Sequence, residues 1–185
     1  KLKYFIQGAK MFLKSIVYKE FEGEQKEWCL KDFVLNRINL LVGKNAVGKT
    51  RTLNVIASIA ALVSEERKTF FKSGDYSLLF DKNGIEIEYQ ISFSDFEVIK
   101  EKMRIGDNVR LNRSKDGICY IYGEELKNDI KYKLKPKTLA CVVRMDDVQH
   151  KFFEDLYQWG KKMRVYRFGT HMGKDVLVVN EKEEE

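Results

Sequence analysis

Residues 43–50 read Gly-Lys-Asn-Ala-Val-Gly-Lys-Thr, the pattern Gly-x-x-x-x-Gly-Lys-Thr. No other feature constrains this chain as much, because the pattern works only between a strand and a helix. Both neighbours are present in outline. The apolar run Ile38-Asn39-Leu40-Leu41-Val42 comes before it. Residues 50–64 come after it, with Leu53, Ile56, Ala57, Ala60 and Val63 at helical spacing. Glycines at positions 43 and 48 let the backbone turn its N–H groups inward, so that Gly43, Lys44, Asn45, Ala46, Val47 and Gly48 line a cradle for phosphate oxygens. The start of the following helix adds its positive dipole end at the same place. Lys49 is expected to reach the β and γ phosphates and the Thr50 hydroxyl to ligate Mg²⁺. Arg51 and Thr52, on the first helical turn, are placed to meet the α-phosphate. The segment therefore predicts a nucleoside-triphosphate site. The plain alternative is an ordinary glycine-rich turn.

Composition narrows the remaining classes. With 185 residues the chain is long enough for one domain with a proper core. The 44% apolar content argues against disorder. No apolar run approaches the roughly 20 residues that span a bilayer, so no membrane partner is expected. The three cysteines, Cys29, Cys119 and Cys141, show neither metal-type spacing nor a disulfide framework, which favours a reducing, cytoplasmic setting. Two histidines, His150 and His171, give a zinc site or a His-based triad little to build on. The net charge of +6 is compatible with DNA or RNA contact through a basic surface and equally with a well-solvated exterior. The densest basic cluster is Lys127, Lys131, Lys133, Lys135 and Lys137.

Along the chain, residues 1–10 contain Tyr4-Phe5-Ile6-Gln7-Gly8-Ala9, which resembles a protease-site remnant of a cloning vector, and Met11 reads as a more natural start. Residues 181–185 read as a charged tail. Strands are expected at 12–21, 28–33 and 37–42, the last running into the phosphate loop. Residues 76–80 and 85–93 flank Asp81-Lys82-Asn83-Gly84, a strong hairpin signal. Residues 98–111 are ambiguous and continue the meander at most. Ser114-Lys115-Asp116-Gly117 marks another turn before a strand at 118–122. The short apolar run 139–143 reads as a buried parallel strand. Residues 147–162 read as a helix with Phe152, Phe153, Leu156 and Trp159 on one side, and 165–168 and 176–179 as closing strands.

The base-reading Asn-Lys-x-Asp of GTPases is missing, and strands precede the loop, unlike the usual nucleotide kinase. These strands, the loop 43–50 with Asn45, and the β meander behind the first helix resemble the ABC-type ATPase heads of the SMC, RecF and overcoming-lysogenization-defect group. Lys14-Ser15-Ile16 with Phe21 is similar to that group's opening strand. Phe153–Trp159 with Arg164–Phe168 is similar to a helix–strand of such ATP-binding proteins. The resemblance implies an α/β P-loop NTPase core, ABC-ATPase-like, with an antiparallel β-meander subdomain over residues 11–180. It implies ATP and Mg²⁺ as cofactors and a homodimer of heads sandwiching nucleotide. A role in DNA maintenance, repair or anti-phage defence would go with it.

The chain departs from that pattern. It has no signature loop, and no apolar strand ends in Asp-Glu. Val176-Leu177-Val178-Val179-Asn180-Glu181 and Asp146-Asp147 come nearest. The expectation is the N-terminal portion of a longer ATPase that binds ATP with little turnover on its own. Gln149 stands where a Q-loop glutamine would contact Mg²⁺ and the attacking water, against the alternative of a solvent-facing helix start. Trp28 or Phe21 is a candidate for stacking on adenine, though both suit a strand core. Lys161, Lys162, Arg164 and Arg167 are candidates for DNA phosphates, or simply a solvated face. Two other classes stay open: a complete small phosphotransferase using Lys49 and Asp146, and a nucleotide-gated interaction module without chemistry.

Overall fold

Two-residue turns and period-two alternation dominate the chain behind the phosphate loop, and together they leave antiparallel pairing as the only option. The computed structural model describes residues 11–36, 39–44, 47–68, 70–167 and 176–178. Its strands are β1 (Phe12–Glu20), β2 (Trp28–Val34), β3 (Ser73–Lys82), β4 (Ile85–Ser94), β5 (Glu97–Ile105), β6 (Asn108–Arg113), β7 (Ile118–Gly123) and β8 (Asn128–Lys133). Helix α1 (Lys49–Val63) lies between β2 and β3 in the chain, and α2 (Ala140–Val143) and α3 (Phe153–Lys162) follow β8. A separate small pair, β9 (Val165–Arg167) and β10 (Val176–Val178), is also antiparallel.

The main sheet has eight strands in the order β2-β1-β3-β4-β5-β6-β7-β8, every neighbouring pair antiparallel. This corrects the expected α/β P-loop NTPase core: the described strands form no parallel sheet. The physical reason lies in the connections. Parallel neighbours need a crossover of a dozen residues or more. From β3 to β8 only 83–84, 95–96, 106–107, 114–117 and 124–127 separate consecutive strands. Of the strand expected at 37–42, the described residues 39–42 are not in a strand, and Leu40 and Val42 are 83% and 78% exposed.

The apolar run 139–143 is a second correction. It forms the short helix α2 instead of a buried strand. The Glu101 carboxylate on β5 accepts the N–H groups of Ala140 (2.7 Å) and Cys141 (3.0 Å), so a residue almost forty positions away satisfies the helix's first donors. Arg113 on β6 is fully buried beside Glu101, 3.5 Å away, and donates to the carbonyls of Lys135 (2.9 Å) and Thr138. Tyr89 Oη completes the cluster, donating to Glu101 (3.0 Å) and lying 3.3 Å from Cys141 Sγ.

The helices cover one face of the sheet. Ile16, Leu78, Phe80, Ile87, Ile91 and Met103 are fully buried beneath them. Helices α1 and α3 cross in close contact because Gly160 has no side chain: a Cβ there would stand 2.5 Å from the Ala60 carbonyl oxygen. Trp159 packs edge-on against Phe80, centroids 4.9 Å apart. The β3–β4 turn uses Asn83 and Gly84 at φ 56° and 80°, the left-handed pair that a two-residue hairpin requires. Asp95 and Phe96 do the same between β4 and β5 at φ 48° and 64°, without any glycine to announce it. The expected segments 1–10 and 181–185 lie outside the described residues.

Candidate phosphate-binding site

Just past β2 two asparagines bond to each other. Asn36 N–H donates to Asn39 Oδ1 (2.8 Å), and Asn39 Nδ2 donates back to the Asn36 carbonyl (2.7 Å). Gly43 opens the loop, where an added Cβ would crowd Val47 at 3.1 Å. Gly48 closes it at φ 94°, a left-handed conformation that a side chain would strain, and α1 starts at the next residue. Asn45 and Ala46 lie outside the described residues.

Lys49 folds back over the loop. Its ammonium donates to the carbonyls of Gly43 (2.5 Å) and Lys44 (2.8 Å), six and five residues earlier. The side chain is thus held against the first two carbonyls of the loop. Thr50 is exposed on the first helical turn. Thr52 is buried, and both its N–H (2.9 Å) and its hydroxyl (3.2 Å) donate to the Gly48 carbonyl, tying the helix start to the loop.

The start of α1 is electrostatically inverted. Negative side chains favour a helix N-terminus and positive ones its C-terminus. Helix α3 follows that rule, with Glu154 and Asp155 in its first turn and Lys161 and Lys162 in its last. Helix α1 has no acid in its first turn and no side-chain cap, and carries Lys49 and Arg51 there instead. The charge of Arg51 is offset from the side: its guanidinium pairs with Glu20 at the end of β1 and lies over the Trp28 ring, 4.6 Å from its centroid. Trp28 in turn borders the loop, 3.7 Å from where a Gly48 Cβ would be. Glu20 also accepts from the Tyr18 hydroxyl (2.9 Å). Burial, then the neighbouring Glu20 carboxylate, push the Tyr18 phenol above its ordinary range, so it stays a donor. The pairing of Glu20 with Arg51 has no sequence signature, since 31 residues and a strand reversal separate them.

Gln149 and Asp146 sit elsewhere. The Gln149 side-chain oxygen accepts from the N–H groups of Glu125 (3.3 Å) and Leu126 (3.4 Å) in the β7–β8 turn. Strands β2 and β7 are six places apart in the sheet, about 29 Å along it. Sheet order thus separates Gln149 from the loop. Asp146 caps the α2–α3 connection: Oδ1 accepts from Val148 N (2.8 Å) and Gln149 N (2.6 Å), and Oδ2 lies 2.6 Å from His150 Nδ1. Burial alone would raise its pKa, but the donors of Gln149, Val148 and His150 together outweigh it and bring the carboxyl down to about 2. Such an acid is a poor general base. Phe21 has its backbone N–H on Ser73 Oγ (3.0 Å) and Lys26 over its ring at 3.8 Å. Asn180 is outside the described residues.

Among the described residues, no group of three His, Cys, Asp or Glu side chains gathers to hold a metal. Mg²⁺ needs no such cage, since it keeps waters and takes most other ligands from substrate phosphates. An exposed Thr50 hydroxyl beside the loop fits that mode. No described helix is long and apolar enough to cross a membrane. Neither a protein-family model, nor a curated protein, nor a solved structure matches the chain.

Proposed function

We propose that this chain binds a nucleoside triphosphate, with ATP and Mg²⁺ as the ligand pair, through residues 43–52. The supporting observation is the inverted start of α1. Two cations and uncapped N–H groups sit at the positive end of a 15-residue helix, and Lys49 rests on two neutral carbonyls. An anion at the loop relieves this arrangement. It accepts from N–H groups that no side chain caps, balances Lys49, and offers its ammonium charged oxygens in place of carbonyls. A triphosphate is the anion that reaches from the first turn of α1 to the Lys49 ammonium while presenting oxygens for Mg²⁺ beside Thr50.

The same reading gives binding with slow turnover. Phosphoryl transfer needs a positioned water and compensation of developing charge. Gln149 and Asp146, the two residues the sequence offers for that work, are engaged near the opposite end of the sheet order.

Trp28 supplies the assay. The chain has two tryptophans, and Trp159 is buried at the α3–β3 contact. In a Trp159→Phe background, the emission of Trp28 should change saturably on addition of Mg-ATP. Charge-assisted hydrogen bonds are worth about 1.5–3 kcal/mol, so Lys49→Ala should weaken binding by about a hundredfold. Unchanged affinity in Lys49→Ala, or no saturable response to millimolar Mg-ATP by either fluorescence or calorimetry, defeats the reading.

A further inference from the structure

The sheet face turned away from the helices is divided by charge. Alternation along each strand places Asp75 and Asp81 of β3 and Glu86 and Glu88 of β4 on that face, opposite the buried Tyr76, Phe80, Ile87 and Tyr89. From β5 onward the same face is basic. The register sets Lys102 opposite Asn112, Asn112 opposite Tyr120, and Tyr120 opposite Lys131, a continuous row across four strands. Ile118 opposite Lys133 forms the next row, with Lys100 at the same level on β5. Tyr120 is 44% exposed, and the Lys131 ammonium lies 6.0 Å from its ring centroid. Tyr122, on the same face, carries the Arg110 guanidinium at 4.3 Å.

These cations are little compensated. Arg104 pairs with Glu88. Lys133 donates to the Asp116 carbonyl, and the nearby Asp116 carboxylate offsets part of its charge. Among the described residues, no carboxylate forms an ion pair with Lys100, Lys102, Lys131 or Arg110. Asp129, opposite Tyr122, and Glu97 at the start of β5 are the acids on this part of the face.

We infer that the outer face of β5–β8 binds single-stranded nucleic acid. Lysines at both ends of the row meet phosphates, and Tyr120 between them stacks on a base. Lys102 and Lys131 stand three strands apart, about 14 Å, so the row accepts a short extended segment. A single strand is favoured over a duplex because stacking on Tyr120 requires an unstacked base, which a paired helix withholds. An acidic peptide would use the lysines but leave the aromatic ring and the Asn112 amide unread. The inference is independent of the triphosphate reading, since the row shares no residue with 43–52.

The test is fluorescence anisotropy of the full chain with labelled dT15, U15 and a 15-base-pair duplex across 50–200 mM KCl. Both single strands should bind more tightly than the duplex. Tyr120→Ala should weaken single-strand binding by about tenfold. Lys102→Ala and Lys131→Ala should each lower the log–log salt slope by about 0.7. Lys26→Ala, an exposed lysine between β1 and β2, should leave both quantities unchanged. All four variants change exposed or half-exposed side chains, and a melt checks that each stays folded. Equal duplex affinity, indifference to Tyr120→Ala, displacement by polyglutamate as readily as by dT15, or no binding at 50 mM KCl each overturns the inference. Lys49→Ala should bind dT15 like the parent chain, which separates this outcome from failure of the nucleotide reading.

Discussion

Replacing Glu101 by leucine should cost the protein most of its stability. The carboxylate accepts from Tyr89 Oη, Ala140 N and Cys141 N and faces Arg113 in a fully buried pair. In Glu101→Leu, Arg113 becomes an unpaired buried charge, a loss of about 3–5 kcal/mol. Three donors lose their acceptor, and each orphaned group costs about 1–3 kcal/mol where no water reaches it. Even with partial relaxation the sum exceeds about 5 kcal/mol, comparable with the whole stability of an ordinary domain. Arg113→Met is the informative partner. It strands the carbonyls of Lys135 and Thr138 and leaves Glu101 without its counter-ion, but the carboxylate keeps its three donors. Its cost should be smaller, about 2–4 kcal/mol. Urea unfolding followed by circular dichroism measures both. With a slope of about 2 kcal/mol/M, Arg113→Met should lower the midpoint by about 1–2 M, and Glu101→Leu by more or to complete unfolding. A midpoint for Glu101→Leu within 0.5 M of the parent, or a larger loss in Arg113→Met than in Glu101→Leu, refutes this account of what holds α2 on the sheet.

Gly160→Ala should destabilise by about 1–3 kcal/mol, because the new methyl would stand 2.5 Å from the Ala60 carbonyl and that overlap outweighs the roughly 1 kcal/mol gain in helix propensity; a raised urea midpoint would show that α1 and α3 do not meet there. Ellman's reagent should titrate one thiol rapidly in the native protein and three in denaturant. Cys29 is exposed, whereas burial first, and the neighbouring Glu101 second, push the Cys119 thiol up to about 12 and raise the Cys141 thiol well above its ordinary value. The Asp146 cap should show in the acid limb of stability. Its folded pKa of about 2 lies below the ordinary 3.8, so its contribution is complete above pH 4 and is lost as pH falls toward 2. Melting temperatures from pH 5 to pH 2 should therefore fall less steeply in Asp146→Asn, and parallel curves would count against the cap.

Local chemistry was legible. Asn83-Gly84 announces its hairpin because few residues tolerate two successive positive φ angles, and the alternation of Ile87, Tyr89, Ile91 and Phe93 reads directly as a half-buried strand. The loop from Gly43 to Thr50 and the helix behind it could be read from spacing alone, since the glycines and the helical period act within a few residues. The ambiguous stretch 98–111 resolved into β5 and β6 only through pairing, because a bulge between Met103 and Arg104 breaks its alternation.

What the chain alone determined is the chemistry available within a turn or two: a glycine-rich loop, a lysine six residues after its first glycine, and hairpin turns. What only the assembled structure decided is where that chemistry points. The run 139–143 is equally apolar as strand or helix, and a carboxylate from β5 made it a helix by taking its first two N–H groups. Glu20 meets Arg51 because the start of α1 lies beside the end of β1, and Lys102 falls into line with Tyr120 and Lys131 because strand register joined them. The parallel core that the loop suggested did not form, because pairing direction is set by the length of the connections between strands, and a local motif carries no information about those.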